Sequence, residues 1–230
     1  MIHKNQVTDL FFDLDHTIYD FDKNSALTFQ SVFKELGMKN MENFMSCFKP
    51  INEHYWDLFT QEKVSREELR YYRLYDTFNK MNVAVNDEQI HFIADYFINN
   101  LSKNNHVFEG AHEALMYLSE KYRLHIITNG PERVQEQKLK STKMDHFFET
   151  LTHSEHLGIK KPNPEIFNFA LQSAQANPSS SVMIGDNWKA DIEGALNVGM
   201  YAVWFNQEGV QKTANNVWEI KTLKELTKIF

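Results

Sequence analysis

The chain has 230 residues, enough for one or two domains with a substantial core and no need of disulfide staples, and its single cysteine, Cys47, has no intramolecular partner. Against 24 Lys and Arg stand 31 Asp and Glu, a net charge of −7 with no polybasic run, so a nucleic-acid polymer is not the expected partner. No window approaches about 18 consecutive apolar residues, which argues against a membrane-spanning helix. The amino-terminal MIHKNQVTDLFFDLDH lacks a cationic segment followed by a signal-length apolar stretch, so a cytoplasmic protein is expected.

Residues 7–14, VTDLFFDL, are short, apolar and rich in strand formers, as in a buried strand ending near Asp13. From about 24 to 101 the period becomes helical, over 25–36, 41–60, 65–80 and 87–101. Ser65 with Glu68 predicts a capping box, and Asn86 an N-cap. Arg66, Arg70 and Arg73 fall at i, i+4 and i+7 among acidic residues and read as a solvated basic face. Tyr71, Leu74, Tyr75 and Phe78 have the spacing of a buried helical stripe.

Beyond this block, helix and strand alternate: helix 111–121, strand 123–128, helix 131–141, a short strand near 150–153, helix 164–175, strand 181–185, helix 188–197 and strand 201–205. VWEIKTLKELTKIF closes the chain as a short strand and a helix. Alternation of this kind implies an α/β fold, a parallel sheet with helices on both faces. With one strand before the helical block and the others after it, the block reads as an all-helical domain inserted into the α/β domain.

Ligands of open α/β sheets bind outside the carboxyl ends of the strands. Those ends carry Asp13 and Asp15, then Thr128 and Asn129, then Asp186, with Asp191 following. Buried carboxylates need compensation, and Mg²⁺ suits a site of a few carboxylates, water and substrate phosphate oxygens. Asp13 and Asp186 are the expected metal carboxylates, with the Asp15 carbonyl as a third ligand and Asp191 in or beside the set. Asp13 is also the candidate nucleophile, and Asp15 the acid and base. Thr128 and Asn129 are candidate donors to phosphoryl oxygens, and Lys160 or Lys161 the charge-neutralising lysine. His153 and His156, in HSEH, are too isolated a pair to predict a transition-metal site.

Taken together, FFDLDHT, IITNG, GIKKPNPEIF and VMIGDNWKADIEGA resemble, in order, the four sequence motifs of the haloacid dehalogenase superfamily. The resemblance covers nearly the whole chain. It implies a Rossmann-like core, residues 1–17 and 105–230, and a helical C1-type cap, residues 18–104, whose closure excludes water. It implies Asp13 as nucleophile, Asp15 as acid and base, Thr17 and Thr128 as hydroxyl positions, Lys161 rather than Lys160 as the lysine, and Asp186 with Asp191 as the acidic pair. His16 departs from the glycine that many members carry, and it is a candidate for contact with the substrate's leaving group. DLDHTIYDF is similar to a branch that includes nucleoside-5′-monophosphate phosphatases. The expected protein is a Mg²⁺-dependent phosphomonoesterase acting on a small-molecule phosphate ester, as a monomer or weak homodimer. A phosphatase for phosphoglycolate or a sugar phosphate, a phosphomutase and a non-catalytic binding module stay open. Dehalogenation is disfavoured, because it needs no leaving-group acid at Asp15.

Overall fold

The structure, a computed structural model, describes residues 6–230. Residues 1–5, part of the expected core and of the segment read for a signal, lie outside the described residues. In chain order the elements are β1 (Asp9–Phe12), α1 (Phe21–Glu35), α2 (Phe44–Thr60), α3 (Arg66–Lys80), α4 (Asp87–Asn100), α5 (Ala111–Ser119), β2 (Arg123–Thr128) and α6 (Glu132–Ser141). There follow β3 (Phe148–His153), α7 (Ser154–Leu157), α8 (Pro164–Ser173), β4 (Ser181–Gly185), α9 (Gly194–Asn197), β5 (Tyr201–Phe205), β6 (Val217–Ile220) and α10 (Leu226–Ile229). The chain divides into two compact units, one of Met1–Asp20 with Asn105–Phe230, the other of Phe21–Asn104.

The first unit holds a parallel six-stranded sheet in the order β3-β2-β1-β4-β5-β6. Side chains alternate across a strand. Leu10 and Phe12 therefore pack on one face with Ile126, Ile184, Leu115 and Leu118, while Phe11 packs on the other with Ile127, Met183, Ile166 and Phe167. Both faces are covered, which is why β1 reads as an unbroken apolar run. Chain order reverses between β1 and β4, so the crevice beyond their carboxyl ends is the topological switch point where such sheets bind ligands. Asp13 lies there, its N–H still donating to the Ile184 carbonyl at 2.9 Å.

Beyond shifts of a few residues at element ends, two elements depart from expectation. The helix expected over 188–197 splits into a π-helical turn, Trp188–Glu193, and α9. The short α7 was not anticipated, since four residues are too few to show a period. Among the described residues no helix is long and apolar enough to cross a membrane.

The helical unit is built round phenylalanines. Phe29 meets Phe44, Phe48 and Phe97 at ring-centroid distances of 4.7, 4.9 and 4.5 Å. Reciprocal capping boxes start α3 at Ser65 with Glu68 and α4 at Asn86 with Gln89. The tyrosine stripe divides: Leu74 and Phe78 are buried, Tyr71 is half-buried and Tyr75 exposed.

The basic face also divides, and this corrects the solvated reading. Arg70 pairs with Asp95 at the surface, but Arg73 is only 2% exposed. It lies on the same face of α3 as Leu69 and Thr77, so the helix that buries those residues buries it too. Its guanidinium sits 5.7 Å from the Phe48 ring centroid and 5.2 Å from that of Phe97, and Nη1 donates to Asn52 Oδ1 at 2.9 Å. Burial lowers its pKa to about 9. Arg73→Met removes the buried charge and leaves only the neutral Asn52 amide short of a partner, whereas Asn52→Leu leaves a buried charge short of one. Arg73→Met is thus expected to lower the urea midpoint less than Asn52→Leu, which is expected to cost about 1–3 kcal/mol. A lower midpoint for Arg73→Met than for Asn52→Leu would refute this account.

Candidate active site

Three carboxylates and one ammonium converge at the switch point. Asp13 follows β1, Asp186 follows β4, and Asp191 comes from the π-helical turn, each offering an oxygen within 4.8 Å of the others. Lys161 Nζ lies 2.6 Å from Asp13 Oδ1, 2.7 Å from Asp191 Oδ1 and 2.8 Å from the Ile127 carbonyl. Lys161 is buried, and so are Asp13 and Asp191.

Local sequence explains each position. The Asn129 side chain pairs with the Lys161 peptide, Oδ1 accepting its N–H at 2.9 Å and Nδ2 donating to its carbonyl at 3.1 Å. The loop that carries the lysine is thereby tied to the end of β2. Asn187 Oδ1 accepts the Ala190 N–H at 2.9 Å, and the Asn187 N–H donates to Asp191 Oδ2 at 3.0 Å. These bonds fold Asp191 back against β4. A Cβ at Gly185 would fall 2.3 Å from Asp191 Oδ2, so glycine is required for that approach.

The charges do not balance, since one lysine faces three aspartates. Burial pushes the Asp13 carboxyl up to about 7; Lys161 opposes the shift and Asp191 adds to it. Burial, with Asp191 and Asp13 nearby, also raises Asp186 well above the usual carboxylate range. For Lys161 burial works the other way, yet Asp13 and Asp191 hold the ammonium above the ordinary lysine value. Asp191 Oδ1 is buried and, beyond its ion-pair contact with Lys161, has no hydrogen bond. Surplus negative charge and oxygen donors on three clustered carboxylates suit a hard divalent cation.

Asp15 stands apart from this cluster. One of its oxygens accepts from Lys138 Nζ, and Oδ2 accepts from Gln135 Nε2 at 2.7 Å. Burial works to raise its pKa, but Lys138 and Gln135 hold it below the usual carboxylate range. Gln135 also donates to Thr128 Oγ1 at 3.1 Å, which links the Thr128 hydroxyl to Asp15. A Cβ at Gly130 would fall 2.0 Å from Gln135 Nε2, so the glycine after Asn129 makes room for this bridge.

The sequence reading did not include Gln135 or Lys138. A signal existed in the 131–141 helix: Val134, Gln135, Lys138 and Leu139 form the buried face, so these two polar residues lie where apolar ones are expected. Thr17 and Asn129 lie at the site with partners other than those expected from sequence. Thr17 Oγ1 donates to Asp186 Oδ1 at 3.2 Å, and Asn129 is engaged with Lys161. His16 has φ of 62°, the left-handed region that glycine adopts without strain. Histidine is among the side chains that visit that region more than most.

Residues 10–205 match the family model of haloacid dehalogenase-like hydrolases. The chain belongs to that family. It is 28% identical to the pyrimidine 5′-nucleotidase PynA of Streptococcus pneumoniae, over 94% of this chain and 92% of the relative. It is 32% identical to the glyceraldehyde 3-phosphate phosphatase of Pyrococcus furiosus, over 85% of this chain and 79% of the relative. Among solved structures, the magnesium-bound HAD-hydrolase YfnB of Bacillus subtilis superposes with a TM-score of 0.88 at 26% identity, covering 97% of this chain and 98% of that one. Family membership accounts for the parallel sheet with a helical insertion, and for motifs that end at a single sheet edge.

Proposed function

We propose that the chain is a Mg²⁺-dependent phosphomonoesterase that works through an aspartyl-phosphate on Asp13, with nucleoside 5′-monophosphates as substrates. The observation that carries this reading is the pairing of an Asp13 held by Lys161 with an Asp15 held separately by Lys138 and Gln135. With the protein's own groups alone, Asp13 is the raised carboxyl and Asp15 the lowered one; a bound cation would favour the Asp13 carboxylate as nucleophile, and Asp15 takes up its proton only when substrate displaces its partners.

Asp13 and Asp186, with the Asp15 carbonyl and Asp191 in support, would hold magnesium, which would neutralise charge on the phosphoryl oxygens. The Asp13 carboxylate attacks phosphorus and the ester P–O bond breaks, the leaving oxygen taking a proton from Asp15. Water then attacks the aspartyl-phosphate and gives its proton to Asp15, releasing inorganic phosphate and restoring Asp13. Lys161 offsets charge on the phosphoryl group, Thr128 offers it a hydroxyl, and Thr17 orients Asp186. His16 is the candidate for contact with the leaving group. In this reading the helical unit is the family's cap.

To act as an acid, Asp15 must exchange Lys138 and Gln135 for a proton and the leaving oxygen. Before that exchange Lys138 and Gln135 fix where the Asp15 carboxyl stands, and in that sense Lys138 is a positioning residue. Lys138→Met is expected to lower kcat by about 100-fold with a much smaller change in KM, because misplacement of a reacting group by about 1 Å costs that much. A KM effect alone, seen in steady-state kinetics, would place Lys138 in substrate binding instead.

The nucleotide assignment draws support from PynA, and the similarity to a glyceraldehyde 3-phosphate phosphatase favours a triose phosphate as second reading. Phosphate release with Mg²⁺ and with EDTA, across nucleoside monophosphates, sugar phosphates, phosphoglycolate and glyceraldehyde 3-phosphate, separates them. Metal-dependent release greatest with pyrimidine nucleotides supports the first reading. Greater release from the triose phosphate replaces the substrate while keeping the chemistry, and no release from any compound refutes the phosphatase reading.

A further inference from the structure

A second group of ligand-type side chains meets at the start of α6, in the same unit as the aspartates but separate from them. Glu132 and Glu136 are four residues apart on that helix and share a face, and His153 is the last residue of β3. One carboxylate oxygen of each glutamate and a ring nitrogen of His153 lie within 4.8 Å of one another. His153 is only 5% exposed, and its Nδ1 is buried without a hydrogen bond.

The ordinary explanation of acidic residues at a helix start covers only part of this. A carboxylate near the N-terminus is favoured by the helix dipole, which accounts for Glu132 and for Glu155, whose Oε2 accepts the Glu132 N–H at 2.9 Å. It does not account for Glu136, one turn further in, nor for the buried His153, whose ring lies beside both glutamates and whose Nδ1 has no hydrogen bond. Glu136 does meet Lys140, at 3.5 Å, but the lysine side chain is 68% exposed and the pair is easily displaced.

We propose that Glu132, Glu136 and His153 form a binding site for a divalent transition-metal ion of the zinc or cobalt type. One imidazole with two carboxylates suits such ions, whereas Mg²⁺ favours oxygen ligands alone. Ligands at about 2.0–2.2 Å from a tetrahedral ion lie roughly 3.3–3.6 Å apart. The two half-buried glutamates reach that spacing by side-chain rotation about a fixed histidine, and water completes the coordination.

The position gives the site a consequence. His153 pairs across the β-ladder with Thr128, and α6 carries Gln135 and Lys138, the residues that hold Asp15. An ion bound here ties the first turns of α6 to the end of β3, and so steadies the helix that positions Asp15.

The test is direct metal binding, independent of turnover. The full chain carrying Asp186→Asn, which weakens the aspartate cluster, is titrated with Co²⁺ in saturating Mg²⁺ while the visible d–d absorption is followed, and then with Zn²⁺ as competitor. One equivalent of Co²⁺, displaced by Zn²⁺, is expected. Loss of outer-sphere partners alone costs 10–100-fold in metal affinity, so removal of a ligand by His153→Gln is expected to weaken Zn²⁺ binding by about 100-fold or more. The paired substitution Glu132→Gln with Glu136→Gln is expected to do the same, and it decides the matter should His153→Gln disturb the far-UV circular dichroism. Affinity and stoichiometry unchanged by these variants, or no binding of Co²⁺ below millimolar concentration, overturns the proposal.

Discussion

Asp13→Asn is expected to abolish phosphate release, by about 10⁴-fold or more in kcat, while leaving the protein folded. The size of the loss follows from the role: removing a covalent nucleophile leaves only binding and electrostatic effects, and such substitutions cost on the order of 10⁴ to 10⁶. The retained fold follows from the charge count at the switch point. Three clustered carboxylates, two of them buried, share the single cation Lys161, and asparagine removes one of the surplus charges while Asp191 stays paired with the lysine at 2.7 Å. In EDTA the variant is therefore expected to melt at or above the wild-type temperature. With Mg²⁺ it is expected to gain less than the wild type, because one of the carboxylates proposed to hold the metal is gone and ligand stabilisation scales with affinity. Single-turnover assays and melting curves in both buffers check the two halves. Turnover within tenfold of wild type sinks the nucleophile assignment.

What the sequence made legible depended on the length of the physical signal. The strands 123–128, 181–185 and 201–205 have the same limits in the structure, because a strand buried on both faces is an apolar run closed by polar residues, and both features are local. The strand-end carboxylates were legible for the same reason: Asp13 and Asp186 interrupt apolar runs at the point where the sheet ends. The residues around them were harder to read. Lys138 is chemically the same as the exposed Lys140 two positions on, and only the helix face distinguishes them. Thr17 and Asn129 could be placed at the site, but side-chain direction is not written in residue type. Their hydroxyl and amide groups turn to Asp186 and to the Lys161 peptide. Arg73 was misread because three arginines spaced along a helix suggest a solvated face, and the aromatic pocket that takes the third is built by Phe48 and Phe97 from other helices. His153 was passed over for a related reason: its neighbours in space, Glu132 and Glu136, belong to a different element.

Lys161→Met tests the other end of the Asp13 ion pair, and its effects on stability run opposite to those of Asp13→Asn. Lys161 is the cation between Asp13 and Asp191, and methionine fills its volume without charge. The variant leaves Asp13, Asp186 and Asp191 clustered without their shared cation, Asp13 and Asp191 buried. Breaking a buried pair by removing one partner costs about 3–5 kcal/mol, so a large fall in stability is expected in EDTA. Added Mg²⁺ restores part of it, because a divalent cation neutralises the same carboxylates. Activity is not restored with it. Lys161 is the cation proposed to meet the charge that develops on the phosphoryl oxygens, and loss of one such donor costs about 10²–10³-fold in kcat. The informative comparison is the Mg²⁺-induced shift in melting temperature: larger than wild type for Lys161→Met and smaller than wild type for Asp13→Asn. If both variants shift in the same direction, surplus negative charge does not govern the site, and the carboxylates are held by some compensation other than the cation assigned to them here.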